Sequence, residues 1–205
     1  KAPLAYSQGF HAHPKITFAT ASPVGEESTC DFMDVLLEHY VDVDDLLARL
    51  QAVLPPGLSA THAFEMPLRG PSLMSLVEGF SYILTPPSMP PDIEETVAAL
   101  LASDEVSVER KTRAGKPGGR KPRGRGKPGK TVAEFNIRPM IRTLAVEHAE
   151  DGTPRIRFET VDVDGRLAKP REIIQVLGLD PNSTRVIKNG TLLREDLRFA
   201  LAEGS

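Results

Sequence analysis

The feature that most constrains this sequence is a 21-residue run from Arg110 to Lys130. It contains ten Lys or Arg, six Gly, three Pro and no Asp or Glu. Such a segment has too little apolar surface to offset the entropy that ordering it would cost. We therefore predict a disordered basic loop at residues 110–130, inserted between the two strands of a hairpin. The flanking sequence must then supply every buried residue of the fold.

The basic run also divides the charge of the chain very unevenly. The formal net charge of the 205 residues is −3, but residues 1–109 carry −12 and residues 131–205 carry −1. Closely spaced cations on a flexible backbone match a phosphate polymer without reading its base sequence. RNA contact is therefore one interpretation of residues 110–130. A passive solvated insertion and a contact with an acidic protein surface remain open as alternatives.

Several classes of protein are disfavoured by what the sequence lacks. No apolar stretch approaches the roughly 20 residues of a membrane-spanning helix, and the first residues have neither signal-peptide nor transit-peptide character. A single cysteine, Cys30, cannot form a disulfide within one chain. Phosphate-binding, dinucleotide-binding, serine-hydrolase and zinc-protease motifs are absent. We expect a cytoplasmic protein without a membrane contact.

The first part of the chain alternates in a way that predicts one strand, helix and strand unit. Alternating apolar residues predict strands at Lys15–Ala21 and Asp31–Glu38. Leucines at helical spacing predict a helix over Val43–Leu54, which Asp42 begins and a Pro-Pro-Gly sequence ends. A return strand is predicted at Leu58–Met66.

A second unit of similar order follows, with a short connecting helix around Ser72–Val77. Its predicted elements are a strand around Phe80–Leu84, a helix at Ile93–Ala102, a strand at Val106–Val108, strands at Val132–Ile137, Thr143–His148 and Ile156–Val163, a helix from Pro170 to Gly178, and a strand at Thr184–Ile187. These elements predict an α+β fold of two ferredoxin-like α/β sandwich halves with mixed or antiparallel sheets. The predicted domains are residues 1–70 and 71–205.

The densest group of polar side chains is the motif YSQGFHAHPK at residues 6–15. In an extended segment, His11 and His13 point to the same side and can share a phosphate or a metal ion. A third metal ligand is placed by no recognisable spacing, so we predict no metal site. Acid-base catalysis by His13 beside Lys15 is an alternative. A loop held by backbone hydrogen bonds, with no catalytic role, is another.

The candidate functional residues fall into two groups. His13 and Lys15 are the only catalytic candidates. The candidate substrate-binding or phosphate-binding residues are Tyr6, Gln8, His11, Arg138, Arg110, Lys111, Arg113, Lys116, Arg120, Lys121, Arg123, Arg125, Lys127 and Lys130.

Five segments of the sequence resemble a known family. They are LAYSQGFHAHPKITFA, SPVGEESTCDFMDVLLEH and LLARLQAVLPPGL in the first part, and FNIRPMI and DGRLAKPREIIQVLGL in the second. Together they resemble the bacterial radical SAM-linked protein family, an uncharacterised domain encoded beside or fused to cobalamin-binding radical SAM proteins. Within the first segment, His13, Pro14 and Lys15 fit the family pattern better than His11 does.

The resemblance implies an accessory protein with no activity of its own that helps a radical SAM enzyme to handle its substrate. It implies that the partner enzyme carries S-adenosylmethionine, an iron-sulfur cluster and cobalamin, and that this chain binds no cofactor. The genes that usually accompany the family favour RNA as the substrate. The resemblance also implies that the first half is truncated at its N-terminus. Two alternatives remain open: an enzyme acting on a phosphate-bearing substrate or RNA through His13 and Lys15, and a structural protein-interaction module.

Overall fold

The computed structural model describes residues 3–8, 10–20, 22–113 and 130–194. For residues 112, 113 and 130 it describes the backbone alone. The central part of the predicted basic loop, residues 114–129, therefore lies outside the described residues. The ends of the predicted loop lie in strands, because Arg110–Arg113 pair with residues 130–133.

Within the described residues, the chain forms four α-helices and nine β-strands in three sheets. In chain order these are β1 (Ile16–Phe18), β2 (Glu26–Ser28), β3 (Met33–Val35), α1 (Val43–Gln51), α2 (Leu73–Leu76), β4 (Val77–Thr85), α3 (Ile93–Ala102), β5 (Ser107–Arg113), β6 (Lys130–Asn136), β7 (Ile141–His148), β8 (Pro154–Val161), α4 (Pro170–Val176) and β9 (Arg185–Leu193). A short 3₁₀ helix, Arg138–Met140, precedes β7. The predicted α+β class is confirmed. None of the described helices is both long enough and apolar enough to cross a membrane.

The described residues separate into two compact units, each made of non-consecutive segments. The first unit contains residues 3–24, 28–78 and 191–194, apart from the residues excluded above. The second unit contains residues 25–27 and 79–190 with the same exclusion. The described basic residues of segment 110–130 belong to the second unit, and the histidine motif at residues 6–15 belongs to the first.

The main core lies in the second unit, under the sheet of order β2-β9-β4-β8-β7. Strand β8 pairs antiparallel with both β4 and β7. Phe80, Tyr82 and Leu84 alternate along β4 and are buried, as the period of a strand requires. Tyr82 stacks on Phe158 of β8 with ring centroids 4.9 Å apart. Buried side chains from α3 and α4, including Val97 and Ile173, complete this core.

The helices begin where local sequence signals place them. The carboxylate of Asp42 accepts hydrogen bonds from the backbone N–H groups of Asp44 and Asp45, which starts α1. Helix α3 has the predicted bounds. Helix α4 begins at Pro170, whose fixed φ suits the first helical position. Gly178, after its end, has a φ of 71°, in the left-handed region that glycine adopts most easily.

The predicted strand at Leu58–Met66 is wrong. Residues 58–66 form neither helix nor strand, and Leu58, Phe64 and Met66 are exposed. The backbone N–H of Ala60 donates to the side-chain oxygen of Gln51 at 3.0 Å, so a side chain takes the place of a neighbouring strand. The alternation of apolar and polar residues was therefore not sufficient for this segment to pair with another strand. Strand β2 was not predicted, because its three residues show no apolar alternation.

The first unit contains a two-stranded antiparallel sheet in which Ile16 pairs with Val35 and Phe18 pairs with Met33. Among its described residues, only Ala19 and Leu76 are buried apolar side chains. Ile16, Phe18 and Met33 are exposed. Most of the buried apolar surface of the described chain is therefore in the second unit.

Candidate nucleic-acid interface

Strands β5 and β6 form an antiparallel ribbon that carries the basic segment. The register runs from Ser107 opposite Asn136 to Arg113 opposite Lys130 without a shift. The two ends of residues 114–129 are consequently held on neighbouring strands, about 5 Å apart. The prediction that the basic run is inserted in a hairpin is confirmed for the strands that flank it.

The two faces of this ribbon differ in burial. Glu109 and Glu134 lie directly opposite each other and both are exposed. Val108, Arg110 and Phe135 are partly buried and belong to the other face, as the period of a strand dictates. Lys111 lies two residues after Glu109 and is also exposed, so this face carries charges of both signs.

Arg110 is held by a bidentate ion pair. Its Nε and Nη2 atoms donate to the two carboxylate oxygens of Glu172, each at 2.8 Å. Nη2 also donates to the carbonyl oxygen of Leu167 at 2.8 Å. The side chains of Arg110 and Glu172 are 13% and 9% exposed. Arg110 therefore anchors the ribbon on α4 and on the segment before it, and Glu172 already supplies its anion.

Phe135 of β6 lies beside two guanidinium groups. The Cζ atom of Arg110 is 5.3 Å from the centroid of the Phe135 ring, and the Cζ atom of Arg166 is 5.0 Å from it. Both distances are within the range of cation–π attraction. Arg166 is exposed, whereas Arg110 is partly buried. The cluster therefore presents one guanidinium group to solvent at the base of the ribbon.

The guanidinium group of Arg138 bonds main-chain carbonyl groups of the protein. Its Nη1 donates to the carbonyl oxygen of Ile141 at 3.1 Å, and its Nη2 donates to that of Leu101 at 2.9 Å. Leu101 lies in the last turn of α3, where carbonyl groups lack helical partners. The Nε atom of Arg138 is buried without a hydrogen bond among the described residues. The structure thus directs this side chain into the protein rather than toward a bound phosphate.

The other basic candidates are only partly described. Lys111 is exposed on β5. Arg113 and Lys130 lie opposite each other at the last described pair of the ribbon, where only their backbone is described. The remaining candidates lie outside the described residues; they are Lys116, Arg120, Lys121, Arg123, Arg125 and Lys127.

The histidine motif forms a short turn-back of the chain. The N–H of Ser7 donates to the carbonyl oxygen of His13 at 2.9 Å, and the N–H of His13 donates to the Ser7 hydroxyl at 3.0 Å. The N–H of Lys15 donates to the carbonyl oxygen of Ala5 at 2.8 Å. Tyr6, Gln8, His11, His13 and Lys15 are all exposed. Backbone bonds therefore hold this motif without burying its candidate side chains.

No group of three or more His, Cys, Asp or Glu side chains within the described chain is arranged to hold a metal ion. An open depression of about 420 Å³ is lined by Ala149, Glu150, Asp151 and Arg155. It contains none of the candidate residues.

Residues 1–170 match the model of a protein family, DUF2344, which is described as an uncharacterized protein conserved in bacteria. The chain belongs to the DUF2344 family. No curated protein and no solved structure matches it. The resemblance seen in the sequence is thereby confirmed at the level of an uncharacterised bacterial family, and a link with radical SAM enzymes stays a prediction.

The DUF2344 match includes the ribbon, the histidine motif and the Phe135–Arg166 pair, but it ends before Glu172. Sequence reasoning missed both Phe135 and Arg166 as members of a site. The available signal was the Asp-Gly pair before Arg166, which predicts a tight turn that fixes the next residue. Nothing in the sequence showed that this turn faces β6.

Sequence reasoning also missed a polar network on the sheet. Glu147 of β7 accepts hydrogen bonds from Arg155 at 2.7 Å and from Arg157 at 3.0 Å. These bonds, led by that of Arg157, lower the pKa of the Glu147 carboxyl below its ordinary value. With the amide of Asn189 turned to satisfy both neighbours, its nitrogen donates to Ser81 and its oxygen accepts from Arg157 at 2.9 Å. Side chains from four strands are therefore linked across the sheet.

Proposed function

We propose that this DUF2344 chain is a non-catalytic cytoplasmic accessory protein that holds RNA for a partner enzyme. The observation that carries the proposal is the β5–β6 ribbon, whose strands bring both ends of a segment with ten cations and no carboxylate to one place. Phosphate contacts by Lys and Arg supply affinity without sequence specificity. A partner enzyme then supplies the chemistry and the choice of nucleotide.

Two of the candidate cations already have partners within the protein. Arg110 is paired with Glu172, and Arg138 bonds main-chain carbonyl groups. Neither guanidinium is directed at a polymer. The cations that contact RNA are those beyond the anchored base of the ribbon: Lys111, Arg113, Lys130 and the six Lys or Arg between residues 114 and 129.

The partner enzyme is a radical SAM protein. Support comes from the resemblance of the segments at residues 4–19, 22–39 and 164–179 to the radical SAM-linked family. The partner carries S-adenosylmethionine, an iron-sulfur cluster and cobalamin, and this chain carries none of them. The exposed motif around His13 is held by backbone hydrogen bonds and has no catalytic role in this account.

The second unit has a ferredoxin-like arrangement in this account. Its element order β4-α3-β7-β8-α4-β9 and the sheet order β9-β4-β8-β7 support that assignment. The β5–β6 ribbon is then an insertion between the first helix and the second strand. Because unrelated functions occur on this fold, the functional argument rests on the ribbon and not on the arrangement.

The test replaces residues 114–129 with 16 Gly and Ser residues and leaves the anchored strands intact. Deletion from Arg110 onward would break the ion pair with Glu172, so the replacement must begin after Arg113. Binding of bacterial tRNA and rRNA fragments is measured by fluorescence anisotropy at low and at physiological salt. We expect the replacement to weaken binding and to flatten its salt dependence, since six cations no longer release counterions.

A matched control keeps the composition of residues 114–129 and scrambles their order. The proposal predicts that this variant binds RNA like the unaltered chain, because phosphate contacts depend on charge density and not on residue order. Equal affinity and salt slope in the unaltered and Gly-Ser chains would show that the segment is a passive insertion and would overturn the proposal.

A further inference from the structure

A tight turn fixes the position of Arg166. The N–H of Val163 donates to the carbonyl oxygen of Arg166 at 2.8 Å, and the N–H of Arg166 donates to that of Val163 at 3.1 Å. The two residues between them, Asp164 and Gly165, have φ angles of 52° and 73°. Asp162 accepts the N–H of Gly165 at 3.0 Å and closes the turn. Positive φ at both positions defines the two-residue hairpin turn with the least freedom to slip.

The ring beneath Arg166 is equally well fixed. Phe135 lies in the ribbon ladder opposite Val108, and Arg110 approaches its ring within 5.3 Å. Arg110 is itself held by Glu172, so the ring has a rigid neighbour. The position of the Phe135 ring is therefore set by the ladder and by Arg110 before any ligand arrives.

The two guanidinium groups near this ring differ in their partners. Arg110 is neutralised by the Glu172 carboxylate. For Arg166, no carboxylate in the described part of the chain lies within ion-pair distance, and the side chain is exposed. An exposed arginine side chain normally samples many rotamers, whereas cation–π attraction to the Phe135 ring favours the one seen here. Arg166 therefore presents a planar cationic group on the face of the ribbon that lacks Glu109 and Glu134.

We infer that Arg166, supported by Phe135, is a stacking platform for one unpaired base of single-stranded RNA at the base of the ribbon. Guanidinium planes and aromatic rings are the surfaces on which proteins stack unpaired bases. This inference rests on the proposed function and adds to it a residue that contacts a base.

An acidic peptide is the competing occupant, because it would also pair with Arg166. The ribbon favours RNA, since the ring below Arg166 and the exposed guanidinium plane suit a flat base, and a carboxylate needs neither. A peptide carboxylate would pair with the edge of the guanidinium group and would leave its flat face unused.

The test compares Arg166→Lys with the unaltered chain on two single-stranded probes of equal length. One probe is oligoadenylate RNA, and the other is an abasic ribose-phosphate strand with the same charge. The variant keeps the charge and removes the stacking plane, so we expect it to weaken oligoadenylate binding by about 5- to 100-fold, the range for loss of one stacked base. Binding of the abasic strand should stay within about twofold.

Arg185→Lys is the matched control, because Arg185 is an exposed arginine that contacts Glu27 and no aromatic ring. It should change neither affinity. Equal losses on both probes would show that Arg166 contacts the RNA backbone and not a base, and no loss on either would show that it does not bind RNA; each result overturns the inference.

A second variant guards against an effect on folding. Phe135→Leu keeps an apolar side chain in the ladder and removes the ring, so it should weaken oligoadenylate binding selectively while the unfolding midpoint remains within a few degrees. A selective loss supports the platform, and retained oligoadenylate affinity contradicts it. If the Gly-Ser replacement of residues 114–129 leaves RNA affinity unchanged while Arg166→Lys lowers it, the proposed function fails and the platform stands.

Discussion

The Arg110–Glu172 pair shows how one contact sets the role of a charged residue. By sequence Arg110 is one of ten cations in a basic run, yet its carboxylate partner lies 62 residues away. The pair is nearly buried, and the Glu172 carboxylate also accepts the N–H of Lys169 at 2.9 Å. Removing one partner from such a pair leaves an uncompensated buried charge, which lowers the free energy of unfolding.

We therefore expect Glu172→Gln to lower the free energy of unfolding by about 3 kcal/mol, near the lower end of the range for breaking a buried pair. The double change Arg110→Met with Glu172→Leu should be more stable than Glu172→Gln, because no buried charge is left unpaired. Urea unfolding followed by circular dichroism measures both.

Glu27→Gln is the control for this prediction. Glu27 pairs with Arg185 at 2.7 Å, but both side chains are more than half exposed. Exposed pairs contribute little, so the unfolding curve should hardly move. If Glu172→Gln and Glu27→Gln have the same small effect, the anchoring role of Arg110 is contradicted.

Glu147 predicts a pH dependence of stability. Its folded-state pKa is lowered, first by the hydrogen bond from Arg157, so its contribution is present above the unfolded-state pKa of about 4.3 and is lost as pH falls through the lower folded value. Glu147→Gln should therefore destabilise the protein at pH 7 and lose most of that effect near pH 3. Urea midpoints at the two pH values test this, and an equal difference at both would contradict it.

At the scale of elements, local signals predicted the helices well. The Asp42 cap and the Pro170 start lie within a few residues of the elements they control. Alternation also placed β4, β7 and β8, because their apolar faces cover a core. It failed at Leu58–Met66, where Gln51 binds the backbone, and it could not indicate β2, whose pairing with β9 joins residues far apart in the chain.

The base of the ribbon depends on one amide side chain. The Asn136 side-chain oxygen accepts the N–H groups of Val106 at 2.9 Å and Arg138 at 3.0 Å. Asn136→Ala leaves both donors unpaired at a partly buried site, so it should destabilise the protein by about 1 to 3 kcal/mol. Faster amide hydrogen exchange at Val106 and Arg138 should accompany this loss.

Asn182→Ala serves as the control for the exchange measurement, because Asn182 is exposed in a turn where it bonds Asp180 and no residue of the ribbon. Unchanged hydrogen exchange at Val106 and Arg138 in the Asn136 variant would show that the amide does not hold the ribbon.

The candidate site was readable from the sequence only in part. A run of cations is visible in any sequence, so residues 110–130 were found without a structure. Which arginines are bound within the protein could not be predicted, because Arg110 and Arg138 have partners 62 and 37 residues away in the sequence. The Phe135–Arg166 contact likewise depends on how α4 and the ribbon pack, which no local pattern records.

At the scale of the whole molecule, the net charge of −3 describes none of the surfaces that a partner meets. The acidic residues 1–109 and the cations of residues 110–130 are separated along the chain. Neutralising the six cations of residues 114–129 would change the net charge only from −3 to −9. It would nevertheless remove most of the cations assigned to phosphate. RNA affinity should therefore follow the local charge of this segment and not the net charge.

An accessory role predicts that the histidine motif has no catalytic duty. Expression of the full-length protein with His13→Ala and Lys15→Ala should restore a bacterial strain that lacks the gene, with RNA affinity unchanged. A variant that folds and binds RNA normally but fails to restore the strain would instead support catalysis by these residues. Modified-nucleoside content of total RNA, measured by mass spectrometry, gives a readout that growth alone does not.

The central claim is that the β5–β6 ribbon holds RNA in the cell. Ultraviolet crosslinking of the full-length protein to cellular RNA, followed by cleavage at glutamates, tests it most directly. Glu109 and Glu134 flank the basic segment, so cleavage there releases residues 110–134 as one fragment. The account predicts that crosslinked nucleotide is concentrated in this fragment and in residues 160–172, which contain Arg166, and is lost in the Gly-Ser variant. Absence of crosslinked RNA, or crosslinks confined to other fragments, would contradict it.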